Sequence, residues 1–94
     1  MQEGYEAFQE MVHRICYAFY RYEIQSGLSL MEPMTKQFTE LLENHDYSEK
    51  QLQDMNKLLE LILLAVEKKD FLIAADLLKH ELCVRIMHPS SFPA

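Results

Sequence analysis

The chain has 94 residues, of which 49% are apolar, and it contains 15 Asp and Glu residues against 9 Lys and Arg residues. This length suits one domain with one core, and the excess negative charge disfavours binding to nucleic acids or to anionic membranes. The sequence has no signal-peptide pattern at its start and no apolar stretch of the roughly 18 residues that span a membrane, so we expect a cytoplasmic protein.

Only two glycines and three prolines interrupt the chain. This composition favours helices over sheets, because sheets require many turns. We therefore predict an all-α fold, a small antiparallel helical bundle of four helices that forms a single domain over residues 1–88. Residues 89–94 are expected to form a flexible C-terminal tail. The alternative is a bundle of three helices with a long third helix.

The first helix is predicted to run from about Glu3 to Gln25 and to stop at Gly27, because glycine commonly ends helices. Tyr17 lies on the polar side of this helix and Tyr20 lies close to it. Both tyrosines are therefore candidates for contact with a partner, with ordinary surface placement as the alternative. The opposite side carries one apolar stripe at three- and four-residue steps, made up of Tyr5, Phe8, Val12, Ile15, Phe19 and Tyr22.

The second helix is predicted to begin near Pro33, a residue suited to the first helical position. It begins earlier, at Ser29, if Ser29 and Glu32 form a capping box. The polar segment 43–47 should end it. Its predicted buried side consists of Met34, Phe38, Leu41 and Leu42.

Ser48 and Gln51 form a second predicted capping box, which opens the third helix. Leu61 and Leu64 belong to an uninterrupted apolar run and point away from the inner stripe of this helix, so we expect another surface to cover them. The inner stripe follows the strict three-four alternation of a bundle helix and consists of Leu52, Met55, Leu59, Ile62 and Val66.

The polar residues 67–70 are predicted to form a turn, with Asp70 as the cap of a fourth helix from Phe71 to about His88. The alternative is one continuous helix over residues 49–88, because the three-four spacing persists through this segment. Such a helix would be about 60 Å long, and the other two helices would be too short to cover it.

The fourth helix carries two apolar stripes. One stripe closes the bundle and consists of Phe71, Ala74, Ala75, Leu78, Leu82 and Ile86. The other would be available to a partner, together with Tyr17 and Tyr20, and consists of Ile73, Leu77, Val84 and Met87. The alternative is that both stripes pack within the bundle, because a bundle helix touches two neighbours.

Two pairs of metal-binding residue types are spaced i, i+3: His13 with Cys16, and His80 with Cys83. If the first and last helices are neighbours, the four side chains are of the Cys₂His₂ type that binds zinc. His13 projects away from the apolar stripe, which favours surface histidines and packing thiols instead. No cofactor is expected, and the sequence shows no catalytic triad or phosphate loop, so we predict a protein without enzymatic activity.

The segment from Ala65 through Leu82, AVEKKDFLIAADLLKHEL, resembles a helix-turn-helix pattern of short helical proteins from Gram-positive bacteria. In that pattern a Lys-Asp-aromatic turn leads into an Ala-Asp-Leu-Leu helix that ends in Glu-Leu. Those proteins are similar in size and helix layout to the flagellar export chaperones, which hold the terminal helices of filament, cap or hook-junction proteins before secretion. The resemblance implies a cytoplasmic chaperone, and it assigns no role to an individual residue.

These patterns together predict an adaptor or chaperone that binds an amphipathic helix of a partner protein in a groove. Residues 1–47 hold eight acidic and three basic side chains, which would favour a partner with basic flanks. The alternative is an obligate homodimer in which the second stripe of the fourth helix is covered by its own copy.

Overall fold

A computed structural model of the protein describes residues 4–87. Within this range the regular structure is entirely helical, so the predicted all-α fold with four helices is confirmed. The helices are α1 at Tyr5–Tyr20, α2 at Ile24–Asn44, α3 at Glu49–Glu67, and α4 over residues 71–87.

The helices are arranged as two hairpins, α1–α2 and α3–α4. Connections of only three or four residues make consecutive helices antiparallel. The backbone of α1 packs closely against both α2 and α4, and the backbone of α3 packs closely against α4. One core lies between them and is filled from all four helices, as the fully buried Phe8, Phe38, Ile62 and Leu78 show.

The first connection differs from the prediction, because α1 ends at Tyr20 and not near Gln25. Tyr22 has a positive φ of 59°, and its side chain is exposed although its spacing placed it in the apolar stripe. Gly27 lies inside α2, where an added Cβ would be 2.3 Å from the ring of Phe19. This glycine therefore allows a close contact between two helices and does not end a helix.

The start of α2 was also predicted wrongly, at Pro33 or Ser29. The helix begins at Ile24 and continues through Pro33. The hydroxyl of Ser29 donates a hydrogen bond of 2.8 Å to the carbonyl of Ser26, one turn earlier, and caps nothing. The end of α2 at Asn44 agrees with the prediction. So does its inner side, where Met34, Phe38 and Leu41 are buried and Leu42 is partly buried.

The start of α3 is confirmed as a capping box. The hydroxyl oxygen of Ser48 accepts a hydrogen bond of 3.1 Å from the backbone N–H of Gln51. The side-chain oxygen of Gln51 accepts one of 2.8 Å from the N–H of Ser48. The inner stripe is confirmed as well, since Met55, Leu59 and Ile62 are buried and Leu52 and Val66 are partly buried.

The turn after α3 is confirmed, and the continuous long helix is therefore wrong. Lys69 adopts a positive φ of 66°, which reverses the chain, and Asp70 is the N-cap residue of α4. The side chain of Asp70 makes no capping hydrogen bond. His88 and the tail at residues 89–94 lie outside the described residues.

Helix α4 changes its winding along its length: it is α-helical at Phe71–Asp76, π-helical at Leu77–Leu82 and α-helical again at Cys83–Met87. An i→i+5 turn holds one residue more than an α-helical turn, so later residues are rotated back by about 100°. This rotation turns Cys83 toward the core, where it is buried. The predicted core stripe is confirmed, with Phe71 partly buried and Ala74, Ala75, Leu78, Leu82 and Ile86 buried.

Candidate functional site

Large apolar and aromatic side chains remain exposed on both hairpins. Within residues 4–87, ten such side chains are more than 40% exposed. Exposed apolar surface of this kind marks interaction sites when the side chains lie together. Three belong to the first hairpin and its connection, namely Tyr17, Tyr20 and Tyr22. Seven belong to the second hairpin, namely Leu61, Leu63, Leu64, Leu72, Ile73, Val84 and Met87.

The predicted second stripe of α4 is divided into two parts. Ile73, Val84 and Met87 are exposed, but Leu77 is half-buried and packs against the core. Ile73 lies beside the α3–α4 turn, whereas Met87 is about 21 Å away along the helix. The exposed His80 lies between them. The four residues therefore do not form one continuous apolar strip.

Tyr17 and Tyr20 border a cleft between α1 and α4 that is also lined by Lys79. The Tyr20 hydroxyl donates a hydrogen bond of 2.5 Å to Asp76 Oδ1. This bond, with smaller effects from burial and from the Asp76 charge, raises the pKa of Tyr20 to about 12. The guanidinium of Arg21 lies 5.2 Å from the centre of the Tyr17 ring. Both tyrosines thus make contacts within the chain that a partner would have to share or replace.

The two cysteines are buried packing groups on α1 and α4. Cys16 Sγ donates a hydrogen bond of 3.3 Å to the carbonyl of Ala75. Burial raises the pKa of the Cys16 thiol to about 12 and that of Cys83 to about 11, so both remain protonated near neutral pH. His13 and His80 are exposed. The described part of the chain holds no group of three or more His, Cys, Asp or Glu side chains placed to bind a metal ion.

Leu61 and Leu64 project from the solvent side of α3. They are 54% and 44% exposed, whereas Ile62 between them is fully buried. The sequence predicted their outward direction from the helical phase, but it did not include them among the partner-binding residues. The uninterrupted apolar run that contains them is the sequence signal that could have identified them as binding residues.

Ile73 lies on the outer side of α4, beside the α3–α4 turn. The edge of α4 that faces α1 includes Ala75 and Asp76, which accept hydrogen bonds from Cys16 and Tyr20. Ile73 precedes these two residues by two and three positions, which places it about 160° from Ala75 and about 60° from Asp76 around the helix. Its side chain is 55% exposed.

Leu61, Leu64 and Ile73 are thus all exposed on the second hairpin, and we call these three residues the hairpin face. Leu64 and Ile73 each lie within one turn of the connection at residues 68–70, so the antiparallel helices hold them at the same height. The half-buried Leu77 lies one turn further along α4, at the height of Leu61. Both helices of this hairpin thus expose apolar side chains near the turn.

No protein-family model, curated protein or solved structure matches this chain. Within residues 4–87, no helix combines the length and the apolar character needed to cross a membrane.

Proposed function

We propose that the protein is a non-enzymatic, cytoplasmic adaptor or chaperone that binds an amphipathic helix of a partner protein on the hairpin face. The observation that carries this proposal is the placement of Leu61, Leu64 and Ile73. Leu64 and Ile73 lie at the same height beside the turn, Leu61 lies one turn further along α3, and each side chain is more than 40% exposed. A helix that docks along two antiparallel helices inserts its apolar side chains between such residues.

The hairpin face is supported from behind by a packed core. Two residues next to the hairpin face in sequence are fully buried: Ile62, which follows Leu61, and Ala74, which follows Ile73. The surface is therefore formed before a partner arrives, which lowers the entropic cost of binding.

The affinity expected from this surface alone is modest. Full burial of a Leu or Ile side chain contributes about 1.5–3 kcal/mol, and these three side chains are already roughly half buried. Together they would contribute about 2–4 kcal/mol before the costs of association. Contacts around the hairpin face must supply the remainder, and a complex of this strength dissociates readily, as an adaptor or chaperone requires.

The segment that resembles the short helical proteins of Gram-positive bacteria contributes to the same surface. Residues 65–82 include the turn after α3 and most of α4, and therefore Ile73. The layout of those proteins, which is similar to that of the flagellar export chaperones, supports a helix-holding function in general, and the exposed apolar residues suggest where it would be located.

The proposal is tested by titrating the protein with an amphipathic 18-residue peptide that carries one leucine stripe, with isothermal calorimetry as the readout. We expect the double variant L61S/L64S to lose at least tenfold in affinity while its far-UV circular dichroism stays unchanged. Leu63, also exposed but on another side of α3, provides the control variant L63S.

Equal affinity of L61S/L64S and L63S for the peptide would show that the peptide does not bind at the hairpin face. Unfolding of L61S/L64S would show that these leucines belong to the core. A dimer that persists at low micromolar concentration and is dissociated by L61S/L64S would instead support the homodimer interpretation.

A further inference from the structure

A groove lies at the end of the bundle where both hairpins turn. It is lined by Tyr22 from the α1–α2 connection and by residues 69–73, which form the α3–α4 turn and the start of α4. Its volume is about 320 Å³. A pocket of this kind can receive an apolar side chain of a binding partner. We call it the turn groove.

The walls of the turn groove are apolar and exposed to solvent. The side chains of Tyr22, Leu72 and Ile73 are 69%, 42% and 55% exposed. Tyr22 also holds a positive φ of 59°, which is uncommon for an aromatic residue and which clusters at functional sites. Exposed apolar side chains gathered at one place indicate an interaction surface.

This end of the bundle is electrically balanced, although the whole chain carries a net charge of −6. Segment 40–50, at the opposite end, holds four carboxylates and one lysine. Two copies of the chain that approach through the balanced end therefore avoid much of the repulsion that their net charge causes. Its three cations and three anions are Arg21, Glu23, Glu67, Lys68, Lys69 and Asp70.

The two charges that line the turn groove are adjacent and of opposite sign. Lys69 and Asp70 are exposed, and neither takes part in an ion pair among residues 4–87. Asp70 also makes no capping hydrogen bond, although it is the N-cap residue of α4. In a two-fold pairing each contact occurs twice with the roles exchanged. Lys69 of each copy can therefore meet Asp70 of the other copy.

We propose that two copies of the chain associate through the turn groove about a two-fold axis. The apolar side chains of each copy would lie against the groove of the other, flanked by two Lys69–Asp70 pairs. A foreign partner of strong charge gains nothing at this balanced end, whereas a second copy supplies the complementary pair. This association does not depend on the proposed helix binding. It would compete with a partner helix, because Ile73 also belongs to the hairpin face.

The association should be weak. The two shorter dimensions of the molecule are 25 and 17 Å between Cα atoms. One end with its side chains therefore offers roughly 400–700 Å², less than the about 800 Å² per partner of a standard stable interface. We expect a chain that is monomeric at low micromolar concentration and dimerises toward millimolar concentration.

Sedimentation equilibrium between about 10 µM and 1 mM tests the proposal. The average mass of the wild type should rise toward that of two chains, and the variant Y22S/L72S should lose at least about tenfold in association constant. The control variant V84S/M87S removes two exposed apolar side chains at the opposite end of α4 and should associate like the wild type. Far-UV circular dichroism checks that each variant is folded.

Two charge reversals test the two-fold geometry without changing an apolar residue. K69E and D70K each place like charges at both Lys69–Asp70 contacts, so neither variant should associate by itself. An equimolar mixture of the two pairs opposite charges at both contacts and should associate like the wild type. D70K also makes the chain less negative, so a general charge effect would strengthen its association and not abolish it.

A wild type that stays monomeric at 1 mM would overturn the proposal, and so would folded K69E and D70K that remain monomeric when mixed. Dissociation of the dimer by L61S/L64S but not by Y22S/L72S would place the contact on the hairpin face and also overturn it. Helix binding at Leu61 and Leu64 would survive a failure of self-association, because neither leucine lines the turn groove.

Discussion

The two hairpins use their apolar residues differently. The α1–α2 hairpin places its large aromatic side chains, Phe8, Phe19 and Phe38, in the core, and those it exposes are tyrosines with a polar hydroxyl. The α3–α4 hairpin is mainly aliphatic: it fills its share of the core and still exposes seven large apolar side chains. The first hairpin has about as much apolar surface as folding buries, and the second has more. The excess is what makes the second hairpin the candidate for binding.

The largest effect is expected from substitutions two residues apart on α3. Ile62→Ala removes a fully buried side chain and should lower the free energy of unfolding by about 2–5 kcal/mol. Leu64→Ala, on the outer side, should change it by less than about 1 kcal/mol. Urea denaturation followed by circular dichroism measures both. Similar losses for the two variants would show that the outer side of α3 is part of the core, and the difference between the hairpins would disappear.

In the first hairpin, Gly27→Ala should lower stability by about 1–3 kcal/mol, although alanine favours a helix by about 1 kcal/mol. The new Cβ would lie 2.3 Å from the ring of Phe19, which is fully buried and packs on Phe71 with ring centres 5.1 Å apart. Ser26→Ala, at the exposed neighbouring position, is the control for helix propensity. A gain in thermal stability for Gly27→Ala would mean that the Phe19 ring moves aside freely.

A smaller difference is expected within α4. Leu77→Ser should cost about 1–2 kcal/mol because the half-buried side chain packs against the core, whereas Val84→Ser should cost less than about 0.5 kcal/mol. Chemical denaturation of the two variants tests the division of the second stripe. Equal, near-zero costs would return Leu77 to the partner-binding surface that the sequence predicted.

The smallest effect concerns Cys16 and Cys83, one from each hairpin. Burial raises the pKa of these thiols from about 9 to about 12 and about 11. Above pH 9 the unfolded chain releases the thiol protons while the folded chain keeps them, so this contribution to stability falls as the pH rises toward 11 to 12. Below pH 9 it is fully present.

The urea midpoint of the wild type should therefore drop more between pH 8 and pH 10.5 than that of the variant C16A/C83A. An equal drop in the two proteins would attribute the alkaline sensitivity to other groups.

Local patterns were sufficient for much of the second hairpin. The capping box at Ser48 depends on hydrogen bonds within one turn, and the turn at residues 67–70 depends on a short polar interruption between apolar runs. Both were predicted and both are present. The first connection was predicted wrongly because Gly27 was taken as a helix stop. Its actual role depends on the ring of Phe19, a contact that composition does not reveal.

The candidate site was predictable only in part, because helical phase is a local pattern and packing between helices is not. Helical phase alone placed Leu61 and Leu64 away from the core, and their exposure agrees. It also placed Ile73 and Leu77 in one stripe, and the structure separates them. Leu77 packs against the core, and the π-helical stretch rotates the residues that follow it.

The sequence by itself determined the helical class, the number of helices and the inner stripe of α3, because these depend on periodicity and on interactions within a few residues. The tertiary structure decided which apolar residues stay in water. That outcome depends on how α4 is rotated about its own axis between its neighbours. Hydrogen bonds from Cys16 and Tyr20 of α1 to Ala75 and Asp76 fix this rotation. The same rotation leaves Ile73 exposed beside the α3–α4 turn.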